Sequence, residues 1–128
     1  RLQRLAAAIQ YSVPGIPCLY YGDEECLDGG RDPFNRAPFE PQKRGLYSYY
    51  ARLGELRRLH PALMHGDMEL CCPSEDVIEI YRKTESETLV CVVNRSRCDL
   101  ALGFAGTPLL GVGKQTSLLA MSAELYLL

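Results

Sequence analysis

The chain has 128 residues, of which 47% are hydrophobic and 23% charged, with a formal net charge of −2 at pH 7. That length suits one domain, or part of one joined to a small second domain, and the apolar content excludes a disordered chain. The near-neutral balance offers nothing to phosphate backbones or anionic lipid, Lys43-Arg44 and Arg57-Arg58 are too sparse for a nucleic-acid patch, and no run of about 18 apolar residues provides a membrane span.

Arg1–Ser12 places Leu2, Leu5, Ala6, Ile9 and Val13 at helical spacing, which predicts a helix with one apolar face, stopped by Pro14-Gly15. The first residue is Arg1 and this stretch already reads as mid-helix, so the natural N-terminus is expected to lie upstream and no signal peptide is read here. Ile16–Tyr21 is a short, nearly all-apolar run, the pattern of a strand buried on both faces. A helix followed by such a strand predicts an α/β unit. Gly22–Arg44, rich in Gly, Asp, Pro and Arg, reads as a loop too long to be a neutral connection, and loops of that kind carry function.

Leu46–His60 predicts a second amphipathic helix with Leu46, Tyr49, Tyr50, Leu53 and Leu56 on its apolar side, closed by Pro61. Beyond it the period changes. Val77–Lys83 alternates Val77, Glu79 and Tyr81 against Ile78, Ile80 and Arg82, Glu85-Ser86-Glu87 makes a turn, and Thr88–Asn94 is a second strand. Asp99–Phe104, Thr116–Met121 and Glu124–Leu128 bring the total to about five strands, punctuated by glycine, the pattern of a small antiparallel sandwich. The division is expected at residues 1–61 and 62–128.

Six cysteines, Cys18, Cys26, Cys71, Cys72, Cys91 and Cys98, show no C-x-x-C spacing, and His60 and His65 stand in no metal-motif relation to them. Reduced, partly buried thiols in a cytoplasmic protein are the favoured reading over a disulfide framework, and no cofactor or metal is called for. A thiol or metal protein is the third-ranked alternative.

Two adjoining segments carry identity. One is Gly15-Ile16-Pro17-Cys18-Leu19-Tyr20-Tyr21-Gly22-Asp23-Glu24, and the other is Gly29-Gly30-Arg31-Asp32-Pro33-Phe34-Asn35-Arg36-Ala37-Pro38-Phe39. Together they resemble the last barrel strand and the following loop of α-amylase superfamily glycoside hydrolases, in the flavour of the cyclomaltodextrinases, neopullulanases and maltogenic amylases. The helix ahead and the Leu46–Leu63 segment, with its "LRRLHPAL" end, are similar too, so the resemblance covers roughly residues 1–66. The chain departs from that flavour at Ala37 and Glu40-Pro41, and it contains no tryptophan.

The resemblance implies an α+β fragment: the last α/β unit of a (β/α)8 TIM barrel, followed by a small antiparallel β-sandwich as C-terminal domain. Active sites of such barrels lie at the C-terminal ends of the strands. The substrate class implied is α-glucan. The aspartate and arginine of the family motif correspond to Asp32 and Arg36, which are expected to contact glucose units, with an ion pair between the two as the alternative. Tyr21 and Glu24 are weaker substrate-contact candidates, with packing and bracing of the barrel end preferred. Phe34 and Phe39 are further loop-tip candidates of the same kind.

Retaining hydrolysis needs two carboxyl groups about 5–5.5 Å apart. In the family these, and a third carboxylate, come from strands upstream of Arg1. Asp23, Glu24 and Glu25 are consecutive and alternate sides on an extended chain, and Asp28 and Asp32 lie on a loop without its barrel. No catalytic residue is therefore expected here, and the chain alone is expected to be inactive. The alternative of a different class is a carbohydrate-binding or protein-interaction module after Pro61, where Tyr81, Phe104 and Tyr126 are the available aromatics. Self-association through exposed barrel surfaces, or disorder of residues 1–45, is expected, since an unpaired apolar strand is unprotected.

Overall fold

The computed structural model describes residues 1–27, 29–36, 38–39 and 46–128, with Phe34 described by its backbone alone. Asp28, Ala37 and residues 40–45, including Glu40-Pro41 and Lys43-Arg44, lie outside the described residues, as does the Phe34 side chain. In chain order come helix α1 (Leu2–Ser12), a long irregular segment with short 3-10 turns at Asp23–Glu25 and Phe34–Arg36, helix α2 (Tyr47–Leu59) and helix α3 (Pro61–His65). Seven strands follow: β1 (Asp67–Ser74), β2 (Val77–Lys83), β3 (Thr88–Asn94), β4 (Leu100–Ala101), β5 (Thr107–Pro108), β6 (Ser117–Leu118) and β7 (Ser122–Leu127).

The strands form a five-stranded sheet in the order β1-β2-β3-β7-β5 and a two-stranded one, β4-β6, all pairs antiparallel. Alternation sorts the side chains of the larger sheet between two cores. Leu89, Cys91 and Val93 of β3, Ala123 and Leu125 of β7 and Ile80 of β2 face the helices. Val90, Val92, Tyr126 and Val77 face the other way, onto Leu118 of β6 and the partly buried Leu100, Leu102 and Phe104. Strand β3 is buried on both faces, as the central strand of a covered sheet should be. On the helical side α1 lies on β3 and β7, while α2 packs against α1 and α3. The predicted apolar side of α2, Leu46, Tyr49, Tyr50, Leu53 and Leu56, is buried in full. For α1 the buried set is shifted: Leu5, Ala7, Ala8 and Ser12 are covered, while Leu2 is 64% exposed.

Two buried guanidinium groups fix the end of α1, one to the sheet and one to α2. Pro14 ends the helix, so its last carbonyls need donors from elsewhere. Arg82 of β2, 1% exposed, donates through Nη1 to the carbonyls of Ser12 (2.7 Å) and Leu63 (3.0 Å), and through Nη2 to that of Gly66 (2.8 Å). Arg57 of α2 donates to the carbonyls of Tyr11 (2.7 Å) and Val13 (3.4 Å), and to that of Gly15. Burial lowers the pKa of both arginines, and Arg57 adds to the effect on Arg82 as a like charge. Gly66 must be glycine for packing reasons: a Cβ there would lie 2.6 Å from the Ala62 carbonyl oxygen and 2.7 Å from that of Lys83. The turn between β2 and β3 helps from the other side, where Glu87 accepts from the Ala62 amide at the start of α3 (2.8 Å) and lies 2.8 Å from His60 Nδ1.

On the opposite face the fully buried Glu124 organises the long β5–β6 connection. Its carboxylate accepts amide hydrogens from Leu109 (3.0 Å), Leu110, Val112 (2.7 Å) and Gly113 (2.9 Å), and from Leu125 beside it. Asn94, also fully buried, donates to the carbonyls of Cys98 and Leu119 and accepts from the Ser96 amide, closing the 95–99 turn.

One expectation is not met among the described residues, and one strand was not expected. Ile16–Tyr21 is no buried strand: residues 16–20 are irregular, and Ile16, Leu19, Tyr20 and Tyr21 are exposed. A strand covered on both faces needs ladder partners on its edges, and none of the described residues pairs with this run. The described part therefore shows an antiparallel sheet domain with three helices and no barrel unit. Strand β1 was not anticipated. It is an edge strand, exposed along its length, and its Pro73 and a bulge between Cys71 and Ser74 interrupt the pairing with β2. Cys71-Cys72 thus occupies an exposed edge, with both thiols free.

Replacing Arg82 by methionine keeps the apolar bulk and strips the donor from three carbonyls, two of them buried. The cost is expected to be about 3 kcal/mol, equivalent to roughly 10 °C in thermal midpoint; an unchanged midpoint in a calorimetric scan would remove the clamp from this account. A second expectation concerns alkali. Burial pushes Tyr81 and Tyr126 up from 10.0 to about 12, and Tyr49 further in the same direction. The native state holds these protons more tightly than the unfolded chain, so the stability they contribute is intact below pH 10 and is lost as pH rises from 10 through about 12. Circular dichroism should show unfolding in that window; equal thermal midpoints at about pH 9 and about pH 11.5 would contradict it.

Candidate functional site

The site is built on the segment from Ile16 to Phe39. Gly22 makes its first turn with φ +89, a conformation that favours glycine, and a Cβ there would overlap the Leu27 side chain. The Gly22 carbonyl accepts the amides of Glu25 (3.1 Å) and Leu27 (2.9 Å), which folds Asp23–Glu25 into its 3-10 turn. The Asp23 carboxylate accepts the Tyr20 amide at 3.2 Å and closes the turn from the front. Tyr20 and Tyr21 stand side by side and exposed, ring centroids 5.1 Å apart at 56°. The turn rests against α2, and the Tyr50 hydroxyl is pushed up chiefly by burial and secondly by the Asp23 charge.

The second half of the loop is joined to the first by Tyr21, whose hydroxyl donates to the Asn35 carbonyl at 3.4 Å. Asp32 precedes Pro33 through a cis peptide bond, and the Phe34–Arg36 turn returns the chain so that Arg36 Nη2 lies 3.1 Å from Asp32 Oδ1. Both side chains remain largely in solvent, Arg36 at 78% and Asp32 at 63%. A pair that exposed gains little from its own attraction. The lone pairs and N–H groups that have no partner among the described residues are open to hydroxyl-bearing ligands. Phe39 is 45% exposed.

The sequence-predicted residues therefore gather in part. Asp32, Arg36 and Tyr21 share one loop surface, connected through Asn35. Glu24 belongs to the first turn and is half-buried, and its Oε2 is buried without a hydrogen-bond partner among the described residues. Sequence reasoning missed two anchors. Gln3 Nε2 donates to the Asp23 carbonyl at 2.6 Å, and Gln10 Nε2 donates to the Cys18 carbonyl at 2.6 Å. Their spacing of seven on a predicted helix was the available signal, since it puts both on one face.

Elsewhere, Tyr126 is fully buried, Phe104 meets it edge-on at 5.6 Å, and Tyr81 packs against the same second core. Among the described residues no three His, Cys, Asp or Glu side chains gather as a metal ion would require, and no helix is long and apolar enough to cross a membrane.

No family model matches the chain. It is 35% identical over 102 residues to a cyclomaltodextrinase of Geobacillus thermopakistaniensis (strain MAS1), covering 75% of this chain and 17% of the relative. It is 34% identical over 93 residues to a cyclomaltodextrin glucanotransferase of Niallia circulans, covering 71% of this chain and 13% of the relative. Among solved structures it superposes on an Anoxybacillus α-amylase with TM-score 0.82 and 34% identity, over 98% of this chain and 31% of the other. A maltogenic amylase from S. marinus gives TM-score 0.83 at 26% identity, over 98% of this chain and 19% of the other. The chain thus spans a short part of the length of each relative it matches. By sequence over most of its length and by fold over nearly all of it, the chain belongs to the α-amylase superfamily of glycoside hydrolases.

Proposed function

We propose that the chain is the C-terminal part of an α-amylase-family enzyme that hydrolyses α-glucosidic bonds with retention. In this reading residues 1–61 form the end of its (β/α)8 barrel and residues 62–128 its C-terminal β-sandwich domain. In this reading the catalytic carboxylates belong to other strands of the parent barrel, and the chain by itself does not cleave. The relatives named cyclomaltodextrinase and cyclomaltodextrin glucanotransferase support the α-glucan class. The exposed run Ile16–Tyr21 supports a barrel strand whose neighbours the chain does not contain. Six unbridged cysteines suit a reducing, cytoplasmic setting.

The observation that carries the proposal is the Asp32–Arg36 pair, held 3.1 Å apart and largely in solvent on the loop that Tyr21 joins. A carboxylate and a guanidinium in that geometry can accept from and donate to vicinal sugar hydroxyls at once. The adjacent tyrosine adds a ring edge and a hydroxyl. None of this moves a proton or attacks an anomeric carbon; it binds and orients.

The test is maltotriose hydrolysis by the 128-residue chain beside a longer polypeptide that supplies a complete barrel upstream. Activity is expected in the longer protein alone, and glucose or maltose released by the short chain would overturn the assignment of the carboxylates. Within the longer protein, Asp32→Ala and Arg36→Ala should each raise KM about tenfold, the worth of one charge-assisted hydrogen bond. The same two substitutions in the 128-residue chain should change its stability by less than about 0.5 kcal/mol, because the pair is exposed. A larger loss of stability with KM unchanged would make the pair a structural one.

A further inference from the structure

The division at residues 61 and 62 separates two stretches of sequence, but the core runs across it. Strand β3 is buried on both faces, and the two covers are unequal. On one face lie Leu118 and the partly buried Leu100, Leu102 and Phe104, around the β4–β6 pair, whose strands are two residues each. On the other face lie the helices. Leu5 and Ala8 of α1 and Leu53 and Leu56 of α2 share one core with Leu89 and Leu125 of the sheet, and all six are at most 4% exposed. Without the helices, Ile80, Leu89, Cys91, Val93 and Leu125 lose that cover. A sheet must bury its apolar face against another layer, and here α1 and α2 are part of that layer.

Polar ties cross the same division. Arg82 of β2 donates to the Ser12 carbonyl at the end of α1. Glu87, just ahead of β3, accepts the Ala62 amide and lies 2.8 Å from Nδ1 of His60, the residue that caps α2; the two side chains are 15% and 16% exposed. Arg52 of α2 donates through Nε (3.2 Å) and Nη2 (3.1 Å) to the Leu109 carbonyl. One hairpin, β2–β3, therefore holds the ends of both helices, α1 through Arg82 and α2 through Glu87.

We propose that the three helices and the five-stranded sheet are one cooperative unit that crosses the division at 61 and 62, with the β2–β3 hairpin as its staple. Its contacts lie within this chain, so the unit exists with or without strands upstream. Only the description of α1 and α2 as the last barrel helices rests on the reading under Proposed function. On that reading the C-terminal half is the wall on which the end of the barrel stands. The first turn of the site loop rests on α2, so an opening of the sheet also frees the turn at Asp23. Cooperative units of this kind open as a whole, and a change at any one core position is felt at every amide of the unit.

Amide hydrogen exchange in mild denaturant tests this, on the 128-residue chain and on the longer protein with a complete barrel upstream. Leu53→Ala removes packing from α2 alone. It should speed the slowest-exchanging amides of Leu53–Leu56 in α2 by about thirtyfold or more, the factor for a truncated core leucine, and those of Leu89–Val93 in β3 by the same factor. Ile80→Val is a milder change on the sheet side and keeps the test open where Leu53→Ala does not fold. It should speed both sets about two- to tenfold. Glu87→Ala should speed Ala62, α2 and β3 together by about tenfold, the worth of a charge-assisted hydrogen bond. Acceleration confined to α2 after Leu53→Ala, or to β3 after Ile80→Val, makes helices and sheet separate units and overturns the proposal. An effect of Glu87→Ala limited to Ala62 and Leu63 overturns the staple. Equal factors in the short chain with unequal ones in the longer protein overturn the unit for the parent. Maltotriose cleavage enters none of these readouts, so failure of the glucan reading and failure of the cooperative unit are told apart.

Discussion

The C-terminal end of α1 is the point on which the rest of the molecule depends. Pro14 stops the helix where Ser12 is fully buried and Tyr11 and Val13 are half-buried, leaving carbonyls at all three without helical donors. Two arginines from different elements converge on them, Arg57 from α2 and Arg82 from β2, and Arg82 extends the same hold to Leu63 and Gly66. Among the described residues neither guanidinium is paired with a carboxylate. Aligned peptide dipoles make a helix C-terminus partly negative, so carbonyls supply the compensation that a counter-ion supplies elsewhere. The planar fork of arginine suits this, since one side chain satisfies several acceptors in fixed directions.

The same logic recurs with opposite sign across the sheet. Glu124 is buried without a cation among the described residues and is satisfied by a ring of backbone amides from Leu109 to Gly113. The two faces of one sheet are thus each organised by buried charge acting on backbone. Hydrophobic packing, with Leu89–Val93 at its centre, supplies the burial, but it is indifferent to where a helix stops or how a connection winds. The buried Arg57, Arg82 and Glu124 set those details. They place α1, and Gln3 and Gln10 of that helix hydrogen-bond to the backbone on either side of Tyr21.

Much of this was legible from residue order because the relevant signals are local. The alternation of Val77–Lys83 and Thr88–Asn94 gave both strands to the residue, and the stripe on α2 gave its buried side. The motif around Asp32 and Arg36 placed them on one loop. Strand β1 was missed although Met68, Leu70 and Cys72 do alternate with Asp67, Glu69 and Cys71, because Pro73 and the adjacent cysteines obscured a two-residue period on a strand that buries nothing. The buried face of α1 was misjudged at Leu2 and Ala6, since an Ala-rich helix offers more than one plausible stripe and only its neighbours select among them.

What the sequence by itself determined is therefore the set of elements with strong period, the loop with its Asp-Pro and Arg, and the superfamily those motifs belong to. Tertiary structure alone decided the rest. Ile16–Tyr21 has the composition of a buried strand, yet a strand exists only through hydrogen bonds to other segments, and no described residue supplies them. Arg57, Arg82 and Glu124 read as solvated charges in a linear chain. Their burial depends on which carbonyls and amides are left unpaired nearby, and that is fixed only when distant backbone comes together.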